Sequence, residues 1–135
     1  PAERLQQAAT AYLRYAIHNP EKYRLIFGNH VARRTDYKDL VASGRRCSAL
    51  FQDLISSGVR SGDFINSDPV ILFNHCLSSI HGFAFLCIDG TLDRLEQARD
   101  ESTSDHSSHG MSQQDMIAAH VEMMVRSISR PGAPD

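Results

Sequence analysis

A long, mostly apolar segment, DPVILFNHCLSSIHGFAFLCID, covers residues 68–89 of the chain. Asp68 followed by Pro69 is typical of a helix start, because an aspartate can cap the first turn and proline suits the first helical position. A step of 100° per residue along this segment leaves no broad charged stripe. The sequence therefore predicts a helix that is buried on nearly all of its faces.

The predicted helix divides into two faces with different expected roles. One face is apolar with a single histidine and comprises Phe73, Leu77, Ile80, His81, Ala84 and Ile88. The opposite face is richer in small and polar residues and comprises His75, Ser78, Ser79, Gly82, Phe85 and Leu86. Small residues let helix axes approach closely, and an interior glycine otherwise costs about 1 kcal/mol relative to alanine. Gly82 therefore indicates a helix crossing point.

Apolar residues at spacings of three and four predict helices in the rest of the chain as well. Asn19-Pro20 separates the first two helices, because the residue before proline is disfavoured in the α region, and Gly28 can end the second. A capping box from Ser112 to Asp115 opens the last helix. The predicted helices cover residues 2–18, 20–27, about 37–59, about 69–89, a short stretch to about 99, and about 113–129.

The third predicted helix is the longest, and glycines mark its course. Thr35 or Asp36 is a suitable N-cap, and Gly58 and Gly62 are expected to bring the helix to its end. Gly44 lies inside it and predicts a close neighbour or a bend at that point, because glycine is unfavourable there. No strand pattern and no internal repeat is visible, so the predicted fold class is all-α.

The length of the chain predicts one domain over residues 1–135. The Ser- and Asp-rich composition at about 100–111 predicts a flexible loop there. The net charge of −2 argues against nucleic-acid binding by this segment alone. No apolar run reaches the roughly 18 residues of a membrane span, so we expect a cytoplasmic protein without a membrane partner. Cys47, Cys76 and Cys87 lie in apolar periodic stretches and are expected to be buried, reduced thiols.

The last helix also has only a narrow charged stripe. A domain of five or six helices cannot easily cover two such helices with its own chain, which favours a homodimer that pairs them in a four-helix bundle. The candidate interface residues are His75, Ser78, Ser79, Gly82, Phe85, Leu86, Met116, His120 and Met123.

An apolar cavity with a few polar groups is the usual form of a ligand site, and these helices can line one. The candidate ligand-binding residues are Tyr12, Tyr15, Tyr23, Phe27, Cys47, Phe51, Phe73, Leu77 and His81. Each aromatic residue also fits a simple core role. His81 fits either a polar anchor in the cavity or a core histidine bonded to a carbonyl or hydroxyl group, with metal ligation or catalysis as further alternatives.

Three stretches together resemble the C-terminal regulatory domain of the TetR family of bacterial transcription regulators: YLRYAIHNPEKYRLIFG, FQDLISSGVRSGDFINSDPV and HCLSSIHGFAFLCIDG. The resemblance spans about residues 2–90 and, more loosely, the final helix. His81-Gly82 matches the end of the Trp-His-Gly motif of one subgroup, whereas Leu77 stands where the tryptophan is expected.

The resemblance implies an all-helical homodimer that senses a small, largely apolar molecule. It also implies that an N-terminal helix-turn-helix domain, which is missing from this chain, reads operator DNA. A ligand would then control operator binding, because the spacing of the two DNA-reading heads must match the helical repeat of DNA and a small rotation can abolish binding. The resemblance implies a repressor as the expected form.

Other function classes remain as alternatives. A ligand-free dimerisation module would have a cavity too small for anything but water, whereas a sensor requires several hundred Å³. A metal or haem sensor could use His75, Cys76 and His120, but His106 and His109 alone cannot close a metal site. A thiol sensor would depend on the cysteines. No nucleophile-base-acid arrangement, glycine-rich phosphate loop or HExxH motif is present, so neither an enzyme, a cofactor nor a bound metal is expected.

Overall fold

A computed structural model describes residues 1–27, 37–102 and 111–131, with side chains in all of these except 99–102. The described part of the chain contains six α-helices: α1 Ala2–His18, α2 Pro20–Phe27, α3 Lys38–Ser61, α4 Pro69–Ile88, α5 Thr91–Ser102 and α6 Gln113–Ile128. Extended pairing within these ranges is limited to one bridge between Phe64 and Ser129. The all-α prediction is confirmed.

The capping residues predicted for the fourth and the last helix are found at the starts of α4 and α6. The Asp68 carboxylate accepts a hydrogen bond from the backbone N–H of Val70 at 2.8 Å, and α4 begins at Pro69. The Ser112 hydroxyl accepts one from the N–H of Asp115 at 3.1 Å, and α6 begins beside it. Both caps satisfy N–H groups that have no partner inside the helix.

The end of α3 differs from the prediction. Gly62, in the left-handed region with φ of 81°, ends the helix, whereas Gly58 lies inside it and is buried. The ring of Phe64 fills the space that a Cβ on Gly58 would need. Gly44 is exposed with no atom within 4 Å of a Cβ placed there, so its expected close neighbour is absent from the described subunit. The predicted caps at 35 and 36 lie outside the described residues.

α1 lies at the centre of the subunit and packs against α3, α4 and α6. The core is apolar, and no polar or charged residue of the described ranges is buried in it. Its most buried members are Leu5, Ala9, Leu13, Ala16, Tyr23, Ile55, Phe64, Ile80, Ala84, Val121 and Ile128. α6 contributes Ile117, Val121, Met124 and Ile128 to this core, at spacings of three or four residues.

α4 is less buried within one subunit than the sequence predicts. Its buried residues lie on one side, while Ile71 is 62% and Leu86 42% exposed. By length and composition α4 could cross a membrane, with a mean hydropathy of 1.6 and 28% of its most apolar window buried. The prediction that no apolar segment is long enough to span a membrane is therefore wrong. The polar residues of α4 are Ser, His and Asn, which carry no full charge and leave its mean hydropathy high. The core helix of a soluble protein passes the same test.

α5 extends to Ser102, and residues 103–110, most of the loop predicted at about 100–111, lie outside the described residues. One further expectation needs correction. The cysteines are not uniformly buried: Cys76 is buried, Cys87 is half-buried and Cys47 is exposed. Cys47 lies in the first half of α3, where most side chains face solvent.

Candidate functional site

Three polar atoms from three helices meet at one point. The Tyr23 hydroxyl of α2 lies 2.7 Å from Nδ1 of His81 on α4. The Tyr12 hydroxyl of α1 lies 3.0 Å from the same nitrogen and 3.0 Å from the Tyr23 hydroxyl. These distances are within hydrogen-bonding range for all three pairs.

Helix geometry explains why these side chains converge. Tyr12 shares the buried stripe of α1 with Leu5, Ala9 and Ala16, since these positions are three or four residues apart. The break at Asn19-Pro20 turns α2, and Tyr23 is its buried residue.

One arginine fastens α2 to the end of α4. The Arg24 guanidinium donates at 3.0 Å to the carbonyl oxygen of Ile88 and at 3.0 Å to the carboxylate of Asp89. A cation at a helix C-terminus is favourable because the last carbonyl groups have no partner in the helix. This anchor places the adjacent Tyr23 opposite His81.

Aromatic rings surround the three polar atoms. The ring centroids of Phe27 and Phe85 lie 4.6 Å and 5.1 Å from that of His81. Phe51 lies 6.4 Å from Tyr12 in an edge-to-face arrangement. We call the set formed by Tyr12, Tyr23, Phe27, Phe51, His81 and Phe85 the aromatic cluster.

Burial keeps both phenols of the aromatic cluster neutral. It raises the pKa of Tyr12, and the hydrogen bond with Tyr23 only partly offsets this. Burial also raises the pKa of Tyr23, with a further increase from its hydrogen bond to Tyr12. Since an unperturbed tyrosine already has a pKa near 10, both hydroxyls carry their protons at neutral pH.

The structure brings five of the nine predicted ligand residues together: Tyr12, Tyr23, Phe27, Phe51 and His81. The other four take no part in these ring contacts. Tyr15 is 49% and Leu77 36% exposed, and Phe73 is buried in the main core. Cys47 is exposed but lies near enough to Tyr12 to contribute to the raised pKa of that phenol. Tyr15 faces solvent because it lies about 115° from the mean direction of the buried residues of α1.

Phe85 corrects the predicted division of α4 into faces. We expected it opposite His81, among the interface candidates, but its ring contacts Tyr23 and His81. Residues four apart on a helix differ by only about 40°, so the spacing from His81 to Phe85 already carried this information.

The ring centroids of contacting pairs in the aromatic cluster lie 4.6 to 6.4 Å apart. A cleft of about 830 Å³ lies elsewhere, between the start of α1 and the end of α6, with Glu3, Asp63, Arg126 and Arg130 in its lining. A cleft of about 360 Å³ runs along α1 past Thr10. Neither cleft includes a residue of the aromatic cluster. A ligand cavity of several hundred Å³ at the cluster stays a prediction.

Uncharged side chains are exposed on both α4 and α6, although α6 also exposes Asp115, Glu122 and Arg126. His75 Nε2 lies 3.0 Å from the Ser127 hydroxyl, which joins the two helices at the surface. Met123 is 70% exposed. We call the exposed set Ile71, His75, Ser78, Gly82, Leu86, Met123 and Ser127 the α4–α6 face.

Gly82 and the half-buried interface candidates have distinct surroundings. A Cβ on Gly82 would meet nothing within 4 Å, so the predicted helix crossing does not occur inside the described subunit. His120 Nε2 donates to the carbonyl oxygen of Ser79 at 3.2 Å, and its ring stacks on Phe83 at 4.2 Å. Met116 is half-buried at the edge of α6.

His75 of α4 and His120 of α6 bond to serines, whereas His81 bonds to tyrosines. Their neighbours include no group of three or more His, Cys, Asp or Glu side chains able to hold a metal, and the same is true throughout the described ranges. His106 and His109, also considered as ligands, lie outside those ranges.

The comparison with protein families gives one match, over residues 5–109, and its description is Tetracyclin repressor-like, C-terminal domain. The match covers well over half of the chain and includes the aromatic cluster. No curated protein and no solved structure matches significantly.

Proposed function

The chain belongs to the tetracyclin repressor-like C-terminal domain family, and from this premise we propose how it works. Membership makes it a regulatory, ligand-binding domain of a TetR-type transcription regulator. We propose that its effector is a small, largely apolar molecule that binds at the aromatic cluster. The full-length protein would be a cytoplasmic repressor that contacts operator DNA only through an N-terminal helix-turn-helix domain.

The meeting of Tyr12, Tyr23 and His81 inside a ring of aromatic side chains is the observation that carries this proposal. Ligand sites combine apolar walls with a few polar groups that fix orientation, and this cluster has both. Its three polar groups come from α1, α2 and α4. A molecule that enters between them must change how α1 sits on the other two helices.

The α4–α6 face supports the dimer part of the proposal. It contains no Asp, Glu, Lys or Arg, and it includes exposed Ile71, Leu86 and Met123. Large contiguous apolar surfaces on soluble proteins usually mark interaction sites. Pairing of α4 and α6 with the same helices of a second copy would form a four-helix bundle.

A thermal-shift screen with small neutral compounds tests the ligand site. A ligand at a hundred times its Kd stabilises the folded state by about 2.7 kcal/mol, which raises Tm measurably. We expect stabilising compounds to act on the wild type and on Leu25→Ala, which alters an exposed residue of α2. They should act weakly on Phe27→Leu, which alters the aromatic cluster on the same helix.

Two outcomes would contradict the ligand site. Compounds that stabilise Phe27→Leu as well as Leu25→Ala would place the effector elsewhere. A screen with no stabilising compound would favour the ligand-free dimerisation module, whose supporting observation is that the rings of the cluster contact one another directly.

The repressor part requires the full-length protein. Retardation of its own promoter fragment should be strong for the full-length protein and absent for residues 1–135 at moderate salt, because phosphate contacts supply most DNA affinity. A promoter that stays active when the full-length protein is bound would contradict repression.

A further inference from the structure

We propose that the aromatic cluster selects a neutral aromatic ligand with one phenolic hydroxyl group, which replaces the contacts among Tyr12, Tyr23 and His81. This inference rests on the proposed ligand site and specifies the chemistry of its ligand. It follows from the number of protons that the three polar groups can share, from the charges around them and from the shape of the walls.

The two tyrosine hydroxyls and Nδ1 of His81 cannot satisfy all of their hydrogen-bonding groups among themselves. If Nδ1 of His81 carries no proton, it accepts one good hydrogen bond, and the two tyrosine protons make two bonds among three close pairs. A tyrosine oxygen then keeps an unused lone pair. If Nδ1 carries a proton, it can only donate, and one tyrosine hydroxyl proton has no acceptor within the triangle.

In both protonation states of Nδ1, a tyrosine hydroxyl can make one more hydrogen bond. It can accept that bond when Nδ1 carries no proton, and it can donate it when Nδ1 is protonated. A phenolic hydroxyl on a ligand can donate and accept at a single oxygen. It therefore matches both states, whereas an ether or a ketone oxygen can only accept.

Charge selects against ionised ligands. None of the six residues of the aromatic cluster is an Asp, Glu, Lys or Arg, and the neighbouring Arg24 is paired with Asp89 at the end of α4. A carboxylate moved into such surroundings loses its hydration without gaining a cation, which is strongly unfavourable. Burial also keeps the two phenols protonated, so they offer no negative charge to an ammonium group.

The walls favour a flat ring. Phe27 and Phe85 meet the His81 ring at 85° and 69°, and Phe51 meets Tyr12 at 83°. Edge-to-face contacts of this kind are favourable between aromatic rings, and a planar aromatic ligand can take the place of one partner.

Three probes of nearly the same shape test the inference on the 135-residue chain at pH 7: 2-naphthol, 2-naphthoate and naphthalene. The chain contains no tryptophan, so naphthalene-type fluorescence can be followed without interference from indole. We expect 2-naphthol to bind about tenfold more tightly than naphthalene, the upper range for one hydrogen bond in a buried site, and 2-naphthoate to bind most weakly.

Tyr23→Phe should remove the preference for 2-naphthol over naphthalene and leave naphthalene binding within about twofold, while Tyr15→Phe should keep the preference. Equal binding of naphthol and naphthalene, tighter binding of naphthoate, or no binding of 2-naphthol at its solubility limit would overturn the inference. The proposed site itself is judged separately, by the response of Phe27→Leu to stabilising compounds of any class. A preference that survives in Tyr23→Phe would also overturn the assignment to this cluster.

Discussion

The ring of Phe64 lies directly over Gly58, in the space that any other residue at that position would fill with its Cβ. Phe64 is buried, and its N–H donates to the carbonyl oxygen of Gly58 at 3.0 Å. The Ile65 N–H donates to the carbonyl oxygen of Ile128 at 2.8 Å. The segment after α3 is therefore fixed between α3 and the end of α6, and this sets where α4 begins.

Gly58→Ala should destabilise the protein by about 1–3 kcal/mol, although alanine favours helix more than glycine does. The added methyl group overlaps a buried ring attached to a fixed backbone, and overpacking of this kind usually costs that much. Urea unfolding followed by circular dichroism measures the change.

Gly44→Ala is the matched control for Gly58→Ala. Gly44 lies in the same helix, is exposed and has open space at its Cβ position, so alanine should stabilise by up to about 1 kcal/mol. Equal effects of the two substitutions would mean that Phe64 does not occupy the position described.

Tyr23→Phe should lower the free energy of unfolding by about 1–3 kcal/mol. The hydroxyl makes close contacts with both His81 and Tyr12, and its removal leaves buried polar groups with fewer partners. Tyr15→Phe is the control, since Tyr15 is 49% exposed, and should change the free energy by less than about 0.5 kcal/mol. Equal losses in the two variants would argue against a stabilising role for the hydrogen bonds.

Local signals in the sequence were sufficient for the helices but not for all faces of them. Asp68-Pro69 and the Ser112 cap act within one turn, so both helix starts could be predicted from neighbouring residues alone. Gly58 and Gly62 look alike in sequence, yet only Gly62 ends α3. The difference comes from Phe64, whose position depends on tertiary packing.

In the candidate site, too, residue types could be predicted from the sequence, whereas the contacts between helices could not. Tyr12 and His81 lie 69 residues apart, and their contact depends on how α1 crosses α4, which no local pattern specifies. Tyr12 could nevertheless be predicted as a candidate because it is aromatic, and His81 because it is a polar residue on an apolar helix face. Phe85 was assigned to the wrong face although its spacing from His81 was sufficient to place it, and Tyr15 was included because its residue type suited a cavity.

Alkylation should distinguish the three cysteines. Burial raises the pKa of Cys76 to about 11, so its thiolate forms only in strongly alkaline solution, whereas Cys47 is exposed. At pH 8 we expect iodoacetamide to modify Cys47 first, Cys87 more slowly, and Cys76 only after unfolding. Peptide mass spectrometry over time measures this order. Early modification of Cys76 would show that α4 is not packed as described.

Acid should destabilise the protein through His120. Burial against Phe83 lowers its pKa below the usual 6.5, partly offset by the hydrogen bond to Ser79. The unfolded chain therefore binds more protons than the folded protein below about pH 6.5. The contribution of neutral His120 to the free energy of unfolding is fully present above about pH 6.5. It is lost as the pH falls through the lower pKa that His120 has in the folded protein.

The urea midpoint of the wild type should thus decrease more between pH 7.5 and pH 5.5 than that of His120→Gln, which keeps an N–H donor for Ser79 but cannot titrate. His75→Gln is the comparison, because His75 is an exposed histidine of α4 bonded to Ser127. A pH response in His120→Gln as large as in the wild type would assign the effect to other groups.

Gly82→Leu should convert a dimer into a monomer. Gly82 lies in the middle of the α4–α6 face with open space above it inside the subunit, so a leucine there leaves the isolated subunit undisturbed. In the proposed four-helix bundle the same side chain would hold the two copies of α4 apart. Gly44→Leu, at the exposed glycine of α3, is the matched control and should remain dimeric. Size-exclusion chromatography with light scattering at micromolar concentration measures the mass of each variant. A monomeric wild type would contradict the bundle, and a dimeric Gly82→Leu would place the interface on another surface.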